Sequence, residues 1–248
     1  MSTSRADCWQ RDTNSPPPPR SSRSQGASFL IRSVTSMSTT TAEPEAPVTG
    51  RFEFPFPHLI IDNWAEPELV RAAEIEWPRP DWPHWHRYDC GKLATKDPLR
   101  LPPACTELIR RLLCLRVGEL MGLEDTFGDW NCHGAGLHAS PPGASLGVHL
   151  DSDHHPNTGW QRACNAILFV NSSWRPDWGG ELELWNADGT ECLKRITPRF
   201  NRLVLFEPSD IAFHAVARNT GPETRKTLAT FYWRESLTTG ARPRAQFC

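Results

Sequence analysis

From about residue 130 onward the chain offers no apolar run long enough for an ordinary helix. It breaks instead into short β-type stretches separated by Gly, Pro, Asn and Asp. "NAILFVN" (165–171), "GELELWN" (180–186), "RLVLFE" (202–207), "AFHAVAR" (212–218) and "KTLATFYWR" (226–234) each read as a strand. The preceding part has a different texture. "FPHLIIDNW" (56–64) reads as a strand, closed by the amphipathic helix "AEPELVRAAEIEW" with Pro67 in its first turn. "PPACTELIRRLLCLRVGELMG" carries apolar residues at helical spacing, with Thr106 as a cap and Gly122 as a stop. Helices followed by closely spaced strands predict an α+β, mainly β fold. The expected architecture is a double-sheeted barrel of jelly-roll type, buttressed by N-terminal helices.

Residues 1–50 stand apart. "NSPPPPRSSRSQGAS" and "TSMSTTTAEPEAPVTG" have too few large apolar residues to offset ordering entropy, so they predict a disordered extension. An Arg- and Ser-rich targeting peptide is the competing reading, weakened by Asp7, Asp12 and the proline run; Met37 offers a second start. The globular domain is expected over 51–236, with a tail over 237–248.

A net charge of -2 gives no basic excess, so no nucleic-acid partner is expected. The absence of an 18-residue apolar run predicts no membrane span. The eight cysteines are scattered without a C-x-x-C pair, which favours reduced thiols and a cytoplasmic location. Most of the eleven tryptophans are expected in the core.

The chemistry concentrates in "LGVHLDSDHHPNTGW" (146–160). His149 and Asp151 are two apart, so on an extended chain they leave one strand face together. A third ligand must come from a strand distant in sequence, and His214 in "SDIAFHAVARN" is the histidine those later strands supply. Two histidines and one carboxylate form the facial set of non-haem iron(II) oxygenases, which leaves open positions for a bidentate co-substrate and dioxygen. Such a co-substrate needs an anchor at its far end. Arg225, 11 residues after His214, can grip a carboxylate bidentately, and Thr227 lies on the same strand face.

With these residues in order, the chain resembles the 2-oxoglutarate- and Fe(II)-dependent dioxygenases of the prolyl 4-hydroxylase-like branch, over residues 51–235. "HLD", "ACNAILFVNSSWRPDWGGELELW", "RLVLFEPSDIAFHAV" and "TRKTLATFYW" follow that family's order. The resemblance implies a double-stranded β-helix (the cupin-like jelly roll). It implies Fe(II) on His149, Asp151 and His214, and 2-oxoglutarate held by Arg225 with Thr227. Arg162 and Asn165 fall where substrate or co-substrate contacts are found, and Phe169 falls where relatives place a tyrosine. Ala139 and Ser140 occupy another tyrosine position, whose polar role His138 would take. The implied reaction consumes O2, with ascorbate as a possible reductant, and couples decarboxylation of 2-oxoglutarate to succinate with hydroxylation of a C–H bond. Asp151, in place of the small residue of halogenating relatives, favours hydroxylation or a related oxidation. The substrate is expected to be a small molecule, an amino acid or a prolyl-type peptide.

Several alternatives stay open at this level. Asp153, His154 and His155 are read as solvent- or substrate-facing, Asp153 and His155 as substrate contacts with Arg162. Trp82, Trp85, His86 and Tyr88 are either packing or a lid. Lys92 and Lys96 are read as solvent-facing, with contact to an anionic substrate as the alternative. Two other classes compete: a β-barrel that binds metal without turnover, and a zinc hydrolase with Asp153 as general base. The oligomeric state is not legible.

Overall fold

The computed structural model describes residues 47–235, 242 and 244–247. The extension expected over 1–50 lies outside the described residues as far as residue 46. The order is β1 (Thr49–Phe52), β2 (His58–Ile61), α1 (Pro67–Ile75), β3 (Trp85–Arg87), β4 (Leu93–Thr95), α2 (Pro103–Leu113), α3 (Val117–Met121), β5 (Phe127–Gly128), β6 (Gly136–Ser140), β7 (Leu146–Leu150), β8 (Gln161–Phe169), β9 (Leu182–Trp185), β10 (Cys192–Ile196), β11 (Leu203–Phe206), β12 (His214–Val216), β13 (Arg225–Arg234) and β14 (Gln246–Phe247).

Two antiparallel sheets form. The larger runs β1-β2-β11-β8-β13-β6-β4-β3, with β5 also pairing β13; the smaller runs β10-β9-β12-β7-β14. This is the double-stranded β-helix, and alternation along its strands creates two cores. From β8 and β13, Cys164, Ala166, Leu168, Leu228 and Tyr232 face the helices and join Leu108, Leu112 and Val70. The opposite faces supply Phe169, Val204 and Phe206, which meet Leu182, Leu184 and Ile196 of the smaller sheet. At roughly 1.5–3 kcal/mol for each fully buried large apolar side chain, these two layers are the main stabilising term. The residues at the open end of the space between the sheets are polar, and they form the site.

Local rules explain most boundaries. Pro67 sits in the first turn of α1, where its missing N–H costs nothing. Gly122 ends α3 in the left-handed conformation (φ 67°). Thr106 is not the cap of α2. Its hydroxyl donates to Leu101 O and Pro102 O inside the first turn, while Glu76 of the preceding segment accepts from Ala104 N at 2.8 Å. The expected single helix over 102–122 is two, parted at Cys114–Arg116. Of the aromatic loop, Trp85 is buried, stacked edge-on against Trp82 at 5.2 Å, and its Nε1 donates to Arg79 O; these tryptophans are core. Six cysteines among the described residues are free. No helix among the described residues is long and apolar enough to cross a membrane.

Beneath β2 a buried ion pair fixes the first turn of the domain. Arg202 Nε donates to Asp62 Oδ1 at 2.7 Å and its Nη2 to Oδ2 at 3.0 Å. Burial alone would raise the Asp62 carboxyl, but Arg202 and the Val48 N–H hold it below its ordinary value.

Candidate functional site

His149 on β7 and His214 on β12 are direct cross-strand partners, with ring centroids 4.3 Å apart. Asp151 follows one residue past the end of β7. His149 Nε2 lies 3.6 Å from Asp151 Oδ1, and His214 Nε2 lies 3.6 Å from Asp151 Oδ2. Ligand atoms of the three groups all fall within 4.8 Å of one another. Each imidazole has its other nitrogen fixed: His149 Nδ1 donates to Gly147 O at 2.8 Å and His214 Nδ1 to Ala212 O at 3.0 Å. A carbonyl can only accept, so both rings carry the Nδ1–H tautomer and turn the Nε2 lone pair inward.

Protonation states agree with that picture. Burial and the neighbouring His149 lower the His214 pKa to about 4, keeping the ring neutral near pH 7. Burial alone would raise the Asp151 carboxyl, but Arg162, His214 and His149 outweigh it and hold it well below the carboxylate range. One carboxylate and two inward-turned imidazole nitrogens, converging within 4.8 Å, suit a divalent cation.

The larger sheet presents the other half of the site. Asn165 on β8 donates from Nδ2 to Asp151 Oδ2 at 2.6 Å, and Arg162 Nη1 lies 3.2 Å from the same oxygen. The Arg162 guanidinium rests over the Phe231 ring at 4.0 Å and donates to Ser152 Oγ at 3.2 Å. Both residues orient the carboxylate ligand.

Further along β13, Arg225 is buried, its guanidinium 4.9 Å from the centre of the Phe169 ring. Its Nε donates to Gly180 O at 2.6 Å, while its buried Nη2 has no partner among the described residues. Burial lowers its pKa to about 10, so it stays charged at neutral pH. A buried guanidinium with an unused donor is costly unless an anion completes it, and the group it fits is a carboxylate. Thr227, Phe169 and His138 form one cross-strand row beside it. The Thr227 hydroxyl donates to His138 O at 3.3 Å and the His138 ring bonds Gly134 O at 3.2 Å. Burial, then Lys92, pushes His138 well below its usual pKa, so it is a neutral group in the pocket.

Asp153, His154 and His155 are engaged by partners outside the metal triad. Asp153 accepts from Arg242 N at 3.0 Å and from His154 Nδ1 at 2.8 Å. That engagement removes it as the free general base a zinc hydrolase requires. His155 is buried against Trp233 and His133, at 5.1 and 4.9 Å, and its Nδ1 accepts from Asn157 N and Thr158 N. The structure thus gives Asp153 and His155 loop-holding contacts, where the sequence suggested a substrate edge.

Three contributors escaped the sequence reading, and a fourth was read there mainly as solvent-facing. Gly180 admits Arg225: a Cβ there would meet Arg225 Cδ at 3.1 Å and Trp174 Cζ2 at 3.0 Å, at φ +74°. Its only signal was the Gly-Gly pair of "WGGELELW". Arg242 and Phe247 come from the tail: Arg242 Nε donates to Asp151 O at 2.5 Å and Phe247 stacks on His149 at 5.0 Å. No local pattern marks either one. Lys92, read as solvent-facing, instead directs a half-buried side chain towards Asp151 and Arg225.

A His-Asp-His triad faced across a jelly roll by a buried arginine is the arrangement of 2-oxoglutarate/Fe(II) oxygenases, here on a prolyl 4-hydroxylase-like fold. Residues 135–233 match the family model of the 2OG-Fe(II) oxygenase superfamily. Among solved structures it is similar to a Pseudomonas putida prolyl-4-hydroxylase, with 26% identity, a TM-score of 0.53, and 72% of this chain and 92% of that one covered. A Trichoplax adhaerens prolyl hydroxylase bound to a hypoxia inducible factor peptide fragment shares the fold, at 16% identity and TM-score 0.51, covering 71% of this chain and 83% of that one. Mouse prolyl 3-hydroxylase OGFOD1 is 35% identical over 77 residues, 29% of this chain and 14% of that protein. Alpha-galactosidase 2 of Hypocrea jecorina is 23% identical over 193 residues, 70% of this chain and 24% of that protein. The chain therefore spans a seventh to a quarter of the length of these two relatives.

Proposed function

We propose that this chain is a 2-oxoglutarate- and Fe(II)-dependent dioxygenase that hydroxylates an unactivated C–H bond in a prolyl-type peptide, an amino acid or a related small molecule. The observation that carries this reading is the pairing of His149 with His214 around Asp151, opposite the unfilled Nη2 of buried Arg225. His149, Asp151 and His214 would hold Fe(II); Arg225 would take the far carboxylate of 2-oxoglutarate, beside Thr227. The chemistry supplied there, with O2, is decarboxylation to succinate and CO2 coupled to insertion of one oxygen atom into the substrate.

The chain's own part is orientation and shielding. Gly147 O and Ala212 O fix the imidazole tautomers, and Asn165 and Arg162 hold the carboxylate. Phe169 and Phe231 cover the two guanidiniums on their apolar side, which keeps water from competing for the anion. The prolyl-type substrate is supported by the two prolyl hydroxylases whose fold this chain shares and by the partial match to a prolyl 3-hydroxylase. Free cysteines at six described positions support a cytoplasmic setting.

The test is an anaerobic titration of the protein with Fe(II) and 2-oxoglutarate, followed through the visible metal-to-ligand charge-transfer band. The band should be absent from His149→Ala and weakened in Arg225→Ala. Wild-type protein that shows no band and binds zinc tightly instead sinks the reading.

A further inference from the structure

Lys92 lies on the turn leading into β4. The next residue, Leu93, faces the helix-side core and pairs with Ala139, so Lys92 faces the opposite side, next to Ser140. Ser140 in turn pairs with Arg225 on β13. Two cations therefore flank one serine on the wall that looks at the metal triad. The Tyr88 ring lies 5.6 Å from the Lys92 ammonium, and the turn is held by Tyr88 N donating to Lys92 O at 2.9 Å.

What Lys92 lacks is a counter-ion. Among the described residues it has no ion pair and no hydrogen-bond acceptor; burial, opposed by the charges of Asp151 and Cys90 and joined by Arg225, lowers its pKa to about 8. The acidic groups nearby are committed or unengaged. Asp151 belongs to the triad and is held by Asn165 and Arg162. Glu181, the carboxylate whose charge acts on Arg225, forms no ion pair with either cation among the described residues. A desolvated ammonium beside a guanidinium is tolerated where an anion arrives to complete it.

On the oxygenase reading above, 2-oxoglutarate brings two carboxylates, one for the metal and one for Arg225. Lys92 remains positive after both are placed. We infer that Lys92 is a second anion anchor in this pocket, and that the substrate carries a carboxylate close to the carbon that is oxidised. That carboxylate could belong to a free amino acid or to an acidic residue next to the oxidised one in a peptide. The chemistry is the same, and the assay separates the two sources.

The test pairs each acid with its amide. L-proline against L-prolinamide forms the small-molecule arm, and an acetylated Pro-Glu peptide amide against its Pro-Gln counterpart forms the peptide arm. Both are read as stimulated succinate release by the Fe(II)-loaded protein, with 2-oxoglutarate affinity followed separately by the anaerobic visible band. Wild-type protein should favour the acid in at least one arm by about tenfold or more, as a charge-assisted contact implies. Lys92→Met should erase that preference, and Lys92→Arg, which keeps the charge, should retain most of it. Meanwhile the 2-oxoglutarate dissociation constant of Lys92→Met should stay far closer to wild type than that of Arg225→Met. Loss of 2-oxoglutarate binding in Lys92→Met equal to that in Arg225→Met would overturn the inference and assign Lys92 to the co-substrate. No acid in either arm stimulating release, or acids and amides serving equally, would overturn it too. A wild-type protein without the visible band would instead defeat the oxygenase reading on which the inference rests.

Discussion

Gly180→Ala isolates the anchor of the co-substrate from the metal. The new methyl carbon would stand 3.1 Å from Arg225 Cδ and 3.0 Å from Trp174 Cζ2, and the residue would have to hold φ +74°. The left-handed backbone costs a non-glycine residue about 1–2 kcal/mol, so a modest loss of stability is expected. The larger effect is on position. Arg225 is held by one bond, Nε to Gly180 O at 2.6 Å, and the methyl group pushes on the chain that makes it. A hydrogen bond to a charged group is worth about 1.5–3 kcal/mol. Losing the aligned guanidinium should weaken 2-oxoglutarate by roughly tenfold to a hundredfold, at about 1.4 kcal/mol per decade. Arg225 comes from the larger sheet while His149 and His214 stand on the smaller one, and among the described residues Arg225 forms no ion pair or hydrogen bond with the triad. The assay is the anaerobic visible titration at fixed Fe(II), with metal affinity taken separately from Co(II) absorption without 2-oxoglutarate. The reasoning fails if Gly180→Ala binds 2-oxoglutarate as wild type does, or if Co(II) affinity falls by the same factor.

Three further outcomes follow from the geometry. Asn165→Ala removes the 2.6 Å bond to Asp151 Oδ2 and should lower Fe(II) or Co(II) affinity by about 10- to 100-fold, with the fold intact by circular dichroism. Arg242→Ala removes the guanidinium bond to Asp151 O and leaves the backbone N–H on Asp153, so metal should be lost faster to a competing chelator, with little change in unfolding midpoint. In acid, the metal-free protein should lose stability between the ordinary histidine value of 6.5 and about 4, because unfolded chains protonate His214 before folded ones do. Bound metal keeps protons off the same nitrogen in the folded state only, so excess Co(II) should raise stability and carry that slope below pH 4 in urea titrations run across the pH range; a slope that disappears with Co(II) would contradict the neutral-ligand assignment.

Much of this protein was legible in the chain because the relevant physics is local. Alternation at period two fixes which residues of "NAILFV" and "KTLATFYW" face each core, and a two-residue spacing sets His149 and Asp151 on one side of the chain. Pro67 and Gly122 marked helix ends through their own backbone preferences. His214 and Arg225 could be matched to the triad and the anchor because they recur in a known order.

What depended on tertiary structure was every contact between segments far apart in sequence. "HLDSDHH" reads as six similar polar positions around one leucine, yet Asp151 meets Asn165 and Arg162, while Asp153 is taken by Arg242, 89 residues away. The partnering of β7 by β14, and with it the Phe247 ring on His149, follows from which strand reaches an open sheet edge, and no single segment encodes that. Lys92 looks like any surface lysine until the Leu93–Ala139 and Ser140–Arg225 pairings turn it inward. A residue's charge is written in the sequence, but the water and counter-ions left around it are set by the sheets that close over it.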